Sequence, residues 1–333
     1  MTAALTGPLP LSRVWTGSKV LAEDLAGEDL ADVLDLHSGA LAWWVLDRST
    51  PYGQAELLRV AKSLDLDEPA VDDLTAADQR AKFEQIGQAR LVVTNAVSLD
   101  HQTGDFTVHP VSLLITDRAL ICLADVCPAL DPARLLATQA DRLAEHGVEA
   151  AVQVLVSTVV AGYGEVVQWL ETTTDTLAAS LFEERPLSKP EQLQAFRLRK
   201  LLANLRRLTD PMRSITAELR LSCDDDDPVV RRQWTLIEEQ HDRTATAADR
   251  LRDELGSVFE TSLALADVQL NTIVKKLTGW AAIIAVPTLV SSFVGMNVNF
   301  PLHGTGVGFW VYLALMIAVS AVLFVVFRKH NWI

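Results

Sequence analysis

The sequence predicts an α+β domain, a small sheet with helices on it, joined by a long stalk helix to an all-α domain of two membrane-spanning helices. Three observations carry this. Two runs near the end of the 333-residue chain, Leu277 to Met296 and Phe309 to Phe327, hold no charged residue. Short apolar segments separated by turn residues fill the first part of the chain. From Val229 no Pro or Gly interrupts a helical pattern until Gly256. The divisions expected are an α/β domain over 1–135, a helical and stalk region over 136–276, and a membrane domain over 277–333.

The composition agrees. A hydrophobic fraction of 49% beside 22% charged residues, with mean hydropathy +0.19, fits a charged soluble part attached to a membrane part. The net charge of -14 argues against nucleic acid, whose phosphates call for a basic surface. Cys122, Cys127 and Cys223 form no CxxC pair, which points away from a disulfide framework and toward a reducing compartment. The opening MTAALTGPLPLSRVW has no basic segment followed by an apolar one, so no signal peptide is read.

In chain order, ALAWWVL (40–46) reads as a strand, and Ser49-Thr50-Pro51 supplies the cap and first turn of a helix through AELLRVAKSL. RLVVTNAVSL (90–99), FTVHPVSLLIT (106–116) and RALICL (118–123) read as strands. DHQTGD (100–105) makes the hairpin turn, with Gly104 available for positive φ, and Thr116-Asp117 makes the next. After Pro132 the period becomes helical, with one or two helices over 134–182 that stop near Glu184-Arg185-Pro186. Ala150 to Gly164 is apolar but short and flanked by Glu149 and Glu165, so it is expected inside the soluble domain. Its Gly162-Tyr163-Gly164 resembles a potassium filter in three letters only. A further helix runs from Ser188-Lys189-Pro190-Glu191 toward Leu221, with a kink or break expected at Pro211. Asp224 to Asp227 forms a loop tip, a solvated charge run or a metal site. Val229 to about Met296 reads as one helix, on the order of 100 Å at 1.5 Å per residue.

Each charge-free run is long enough to cross roughly 30 Å of hydrocarbon; the alternative is a pair of buried core helices. Lys275 and Lys276 precede the first span, Arg328 and Lys329 follow the second, and NVNFPLHGTGVG between them holds no Lys or Arg. Positive-inside bias then places both termini in the cytoplasm and the short loop outside. Along the first span Asn271, Val274, Thr278, Ala281, Ala285, Thr288 and Ser292 recur every three or four residues as one stripe of small or polar side chains. That pattern fits a pore face or ordinary close packing of membrane helices. Pro287 permits a kink.

Gly295-Met296-Asn297 ends the first span, and a basic-aromatic tail, Arg328 to Ile333, follows the second. In motif, placement and two-span topology the whole chain resembles the CorA family of magnesium transporters, whose signature is Gly-Met-Asn at that place. Asp78 to Glu84, DQRAKFE, is similar to a stretch of the family's cytosolic domain that usually reads His-Gln-Arg-Pro-Lys.

The resemblance implies a homopentamer in the cell (inner or plasma) membrane. The first spans would line the pore, the second would face lipid, and a ring of Asn297 would stand at the outer entrance. Mg²⁺ sheds water reluctantly, and neutral amide oxygens can hydrogen-bond the hydrated ion without stripping it. Gly295 would let the backbone turn at the helix end. By family alignment Val274 and Leu277 fall at an apolar constriction, a candidate gate. The family's cytosolic Mg²⁺ sensor uses carboxylates across the subunit interface. Asp100 matches one of them; the other falls near Leu236, with Glu238 or Glu239 as substitutes, and Glu260 matches a further acidic position.

Two departures stand out. The acidic residue usual in the family's outer loop is absent, with His303 nearby, and Leu236 cannot ligate. The expected activity is passive Mg²⁺ uptake driven by membrane potential and gated by cytosolic Mg²⁺, the ion being substrate and regulator. The alternatives are a Zn²⁺, Co²⁺ or Ni²⁺ transporter on the same scaffold, and a non-conducting membrane-anchored sensor or scaffold. HExxH, GxSxG, GxGxxG and GxxxxGK[ST] are absent, so no enzyme is read.

Overall fold

The computed structural model describes residues 11–63, 71–72, 74, 80–125, 130–223, 227–296 and 305–333. Among the described residues seven strands form one sheet: β1 (Ser12–Thr16), β2 (Lys19–Glu23), β3 (Leu41–Asp47), β4 (Lys82–Ile86), β5 (Ala89–Leu99), β6 (Phe106–Ile115) and β7 (Ala119–Ala124). Their order is β2-β1-β3-β7-β6-β5-β4, and every pair is antiparallel except β3 with β7. The described helices are α1 (Leu30–Leu36), α2 (Pro51–Ser63), α3 (Pro132–Thr138), α4 (Ala140–Ala179), α5 (Lys189–Leu221), α6 (Pro228–Val294) and α7 (Gly306–Lys329). The predicted strands and helices are all present. The sheet is larger than expected, because β1, β2, β4 and α1 were not read from the sequence.

The chain forms two compact units. The first comprises Met1–Leu177 and Glu191–Leu255. Alternation along its strands gives the sheet two buried faces. Val14, Ala42, Trp44, Leu46, Ile121 and Leu123 share a core with Leu30 and Leu34 of α1 and Leu57 and Val60 of α2. Thr50 caps α2 as expected, its hydroxyl accepting from Gly53 N at 3.1 Å. The other face meets the long helices. Thr94 Oγ1 donates to Met212 Sδ of α5 at 2.9 Å, and Tyr163 Oη of α4 donates to Asn95 O at 2.5 Å. Tyr163 is fully buried within a helix, so Gly162-Tyr163-Gly164 is no filter. Cys122 lies in the sheet core, and burial pushes its thiol up to about 12, which keeps it neutral and unreactive.

Two local features define the long helices. α5 runs through Pro211 without ending, because Thr209, Met212 and Ile215 are buried on either side and their packing offsets the lost hydrogen bond. Within α4 the backbone departs from helix at Gly147 (φ 70, ψ -156), a region open essentially to glycine. Asp224 to Asp226 lie outside the described residues; Asp227 accepts from Val229 N at 2.8 Å at the start of α6.

The second unit comprises Ala178–Pro190 and Gly256–Ile333. The turn after α4 ends at Glu184 with φ 53 and is held to α6 by Leu187 N donating to Ser262 Oγ at 3.0 Å. Among the described residues three helices are long and apolar enough to cross a membrane. In the first, from Ala140, 67% of the apolar window is buried, against 6% in α6 and 0% in α7. That contrast assigns the first to the soluble core and leaves α6 and α7 as the spans.

Candidate ion pathway and cytosolic carboxylates

The apolar end of α6 has two unlike sides. Gly279 is the only buried residue between Asn271 and Val294, and Ala282, Ile283, Val286, Pro287, Val290 and Val294 are half-buried. Trp280 lies 6.3 Å from Phe324 of α7, ring centre to ring centre. Asn271, Val274, Leu277, Thr278, Ala281, Ala285, Thr288 and Ser292 are all exposed. At about 100° per residue these two sets lie on roughly opposite sides of the helix. The stripe is therefore the side that α7 leaves bare, and Ala281, Ala285, Thr288 and Ser292 line one open groove along it.

Two hydroxyls of that stripe are oriented. Thr278 Oγ1 donates to Val274 O at 2.8 Å, and Thr288 Oγ1 donates to Ile284 O at 2.9 Å. A hydroxyl carries a single proton, so what these side chains offer outward is oxygen lone pairs.

At the C-terminal end of α6, Gly295 N donates to Ser291 O at 2.9 Å and Met296 N to Phe293 O at 3.2 Å, a tightened last turn. Gly295 is not among the positive-φ residues, so it does not act as a left-handed terminator. Its bareness gives room instead: a methyl there would stand 3.2 Å from Ser291 O. Asn297, Asn299 and His303 lie outside the described residues.

The predicted cytosolic carboxylates occupy different surroundings. Asp100 caps the β5–β6 turn, accepting from Gln102 N at 2.9 Å, Thr103 N at 3.4 Å and Thr103 Oγ1 at 2.8 Å. The Thr103 hydroxyl, then the Gln102 amide, hold its carboxyl below the usual range, so it is ionised at neutral pH. The turn is seated on the helices. A methyl on Gly104 would overlap the Trp169 ring, His101 meets Glu165 at 3.0 Å, and Arg197 donates to Asp105 at 2.5 Å.

Glu238 accepts from Arg220 at 3.0 Å and Glu239 from Arg243 at 3.0 Å. Glu260 is exposed in the second unit, and Leu236 is exposed in the first. Among the described residues no three His, Cys, Asp or Glu side chains gather as a metal site. Asp100 bonds within its own turn while Glu238 and Glu239 pair with arginines, so no contact among the described residues joins the three. The donor that Asp100 presents, an ionised oxygen ligand, is the type Mg²⁺ takes.

Sequence reasoning missed Glu149. It is buried, and accepts from Arg90 Nη2 and from Trp234 Nε1, both at 2.9 Å. Arg90 also reaches Ser222 Oγ at 3.2 Å, so one carboxylate ties β5, α4, the end of α5 and the start of α6. Its only sequence signal was a charge beside an apolar helix.

A two-span protein with an α+β domain and Gly-Met-Asn placed at the end of the first span defines a membrane ion-transport class. The chain belongs to the CorA-like Mg²⁺ transporter family, whose model matches residues 38–329. A curated relative, the cobalt/magnesium transport protein CorA of Thermotoga maritima, is 21% identical over 92% of this chain and 87% of its own. The protein of that name from Methanocaldococcus jannaschii is 35% identical over 83 residues, 25% of this chain and 26% of its own. The complete structure of the Methanocaldococcus jannaschii CorA magnesium transporter matches with TM-score 0.78 at 20% identity, covering 97% of this chain and 99% of that one. Full-length CmaX matches with TM-score 0.68 at 22% identity, over 98% and 100%.

Proposed function

We propose that this protein is a homopentameric channel for passive Mg²⁺ uptake across the cell membrane, with both termini cytoplasmic. The supporting observation is the bare stripe of α6: small and weakly polar side chains on the side opposite α7, uncovered within one subunit. Copies of that stripe facing a shared axis would be buried from lipid and would line a path. Val274 and Leu277, apolar and exposed at its cytosolic end, would form the constriction. Asn297 would ring the outer mouth with amide oxygens that greet a hydrated ion. An inside-negative potential contributes about 2.3 kcal/mol per charge per 100 mV, doubled for a divalent ion, so no nucleotide is needed.

Cytosolic Mg²⁺ is the proposed regulator, bridging Asp100 to a carboxylate of the neighbouring subunit's α6 and favouring the closed state. Asp100→Lys is expected to raise the internal Mg²⁺ that half-inhibits flux by at least about tenfold, the scale of about 1.4 kcal/mol lost from one contact. Unchanged inhibition would remove Asp100 from the sensor.

The family relatives carry cobalt as well as magnesium in their names, and the cytoplasmic domain of the Vibrio parahaemolyticus protein ZntB matches with TM-score 0.52 at 14% identity over 77% of this chain and 97% of that one. Uptake by the purified protein in liposomes, with Mg²⁺, Co²⁺, Ni²⁺ and Zn²⁺ offered separately, tests the reading. Mg²⁺ uptake that rises with inside-negative potential is the expected result. Uptake of only the softer ions overturns the choice of cargo, and no flux of any ion makes the protein a sensor or scaffold.

A further inference from the structure

Gly279 is buried in a stretch of helix that is otherwise exposed or half-buried, and what covers it is the chain's own tail. α7 closes in a defined way. Asn331 takes φ +55, Asn331 N donates to Arg328 O at 3.3 Å, and Trp332 N donates to Phe327 O at 2.9 Å. These two bonds, around a left-handed Asn, are the Schellman pattern of helix termination. The apolar contact that accompanies the pattern is present too: the Trp332 ring stacks on Phe327 with centres 5.6 Å apart and planes 12° apart. The turn sends Ile333 back onto α6. A methyl placed on Gly279 would stand 3.2 Å from Ile333 Cγ1 and 3.5 Å from both Ile333 Cδ1 and Trp332 O. Glycine is the residue that lets the tail approach this closely.

Gly279 is two residues beyond Leu277, and at about 100° per residue the two face nearly opposite ways. Whatever seats Gly279 therefore sets how far Leu277 projects on the other side of the same turn. We propose that Gly279, Trp332 and Ile333 are positioning residues for the gate: they clasp the gate turn of the first span to the end of the second, so that both move as one body when the pore opens. This rests on the reading of Leu277 as the constriction. It adds what holds that constriction in place, a task for the tail that its positive charges do not perform.

The test uses the full-length protein in liposomes, with Cys127 and Cys223 replaced by Ser. Oxidation of the pair Gly279→Cys and Ile333→Cys is expected to give an intramolecular disulfide, and the locked protein is expected to keep its Mg²⁺ flux within about twofold, since a clasp that moves as one body loses nothing by being locked. Failure of the disulfide to form overturns the contact. A locked protein that loses flux by about tenfold shows that the two ends part during gating and overturns the one-body motion.

Gly279→Val fills the space that Ile333 occupies and is expected to shift the half-inhibiting internal Mg²⁺ by about threefold or more, and Ile333→Ala in the same protein is expected to restore it by reopening that space. A shift that Ile333→Ala leaves uncorrected, in a protein eluting at the wild-type size, counts against the clasp. If the wild-type protein passes no ion, the channel reading fails, while the disulfide still reports on the contact.

Discussion

Asn297→Ala is expected to abolish selective Mg²⁺ uptake in liposomes while leaving the protein assembled. A hydrated Mg²⁺ entering the proposed pore keeps its water, so the entrance recognises water protons rather than the bare ion. A carboxamide oxygen accepts such protons, and a methyl group accepts none. Each lost hydrogen bond is worth about 1 kcal/mol, and with one amide per subunit of the proposed pentamer the entrance loses several kcal/mol, more than about tenfold in flux. The measurement is Mg²⁺ uptake against Co²⁺ and Na⁺ in the same vesicles. Asn297→Asp is expected to err the other way, binding the ion more tightly and slowing its release. Undiminished, equally selective uptake by Asn297→Ala would end the role of this residue.

The second large effect concerns the fold. Glu149→Ala leaves the Arg90 guanidinium, 16% exposed, and the fully buried Trp234 indole without their shared acceptor. Removing one partner of a buried pair costs about 3–5 kcal/mol, most of it the uncompensated charge left behind. Against a typical total of about 5–15 kcal/mol, that is a large share. For a unit of this size each kcal/mol moves the midpoint by about 2–4 °C, so thermal unfolding followed by tryptophan fluorescence should fall by about 10 °C. Glu149→Gln keeps an acceptor for the indole and is expected to cost less. A midpoint unchanged in Glu149→Ala would show that water replaces the carboxylate and that the network holds nothing together.

The membrane half was legible because its signals are long. Two charge-free runs and a helix without breakers need no tertiary information, and α6 and α7 appear where the pattern put them. The missed strands are short and lie at or near the rims of the sheet. β2, KVLAE, is mostly exposed at one edge, and β4, KFEQI, has no buried residue at the other, so neither carries an apolar alternation. Their pairing is fixed by neighbours distant in sequence: β1 is held by β3, and β4 by β5.

Lys82, Phe83 and Glu84 fall in β4, so a stretch noted for its family likeness turned out to be a strand as well. Pro211 does not break α5, whose burial on both sides outweighs one missing bond. The tail could have been read. Phe327-Arg328-Lys329-His330-Asn331-Trp332 places Asn where a helix end wants a left-handed residue and aromatics at the two positions that then meet. The surroundings of Asp100 could be read only in part. Thr103 and Gly104 signal the turn, but Trp169, Glu165 and Arg197, which seat it, come from remote helices.

The inward bonding of Thr278 and Thr288 has a further consequence. Because each spends its proton on its own backbone, a conduit built from this surface would meet its contents at these two turns with electron pairs alone. Chloride or phosphate would find no proton at either, whereas the outermost atoms of an aquated cation would be accepted at both. These two turns would then favour one sign of charge over the other without carrying any fixed charge of their own.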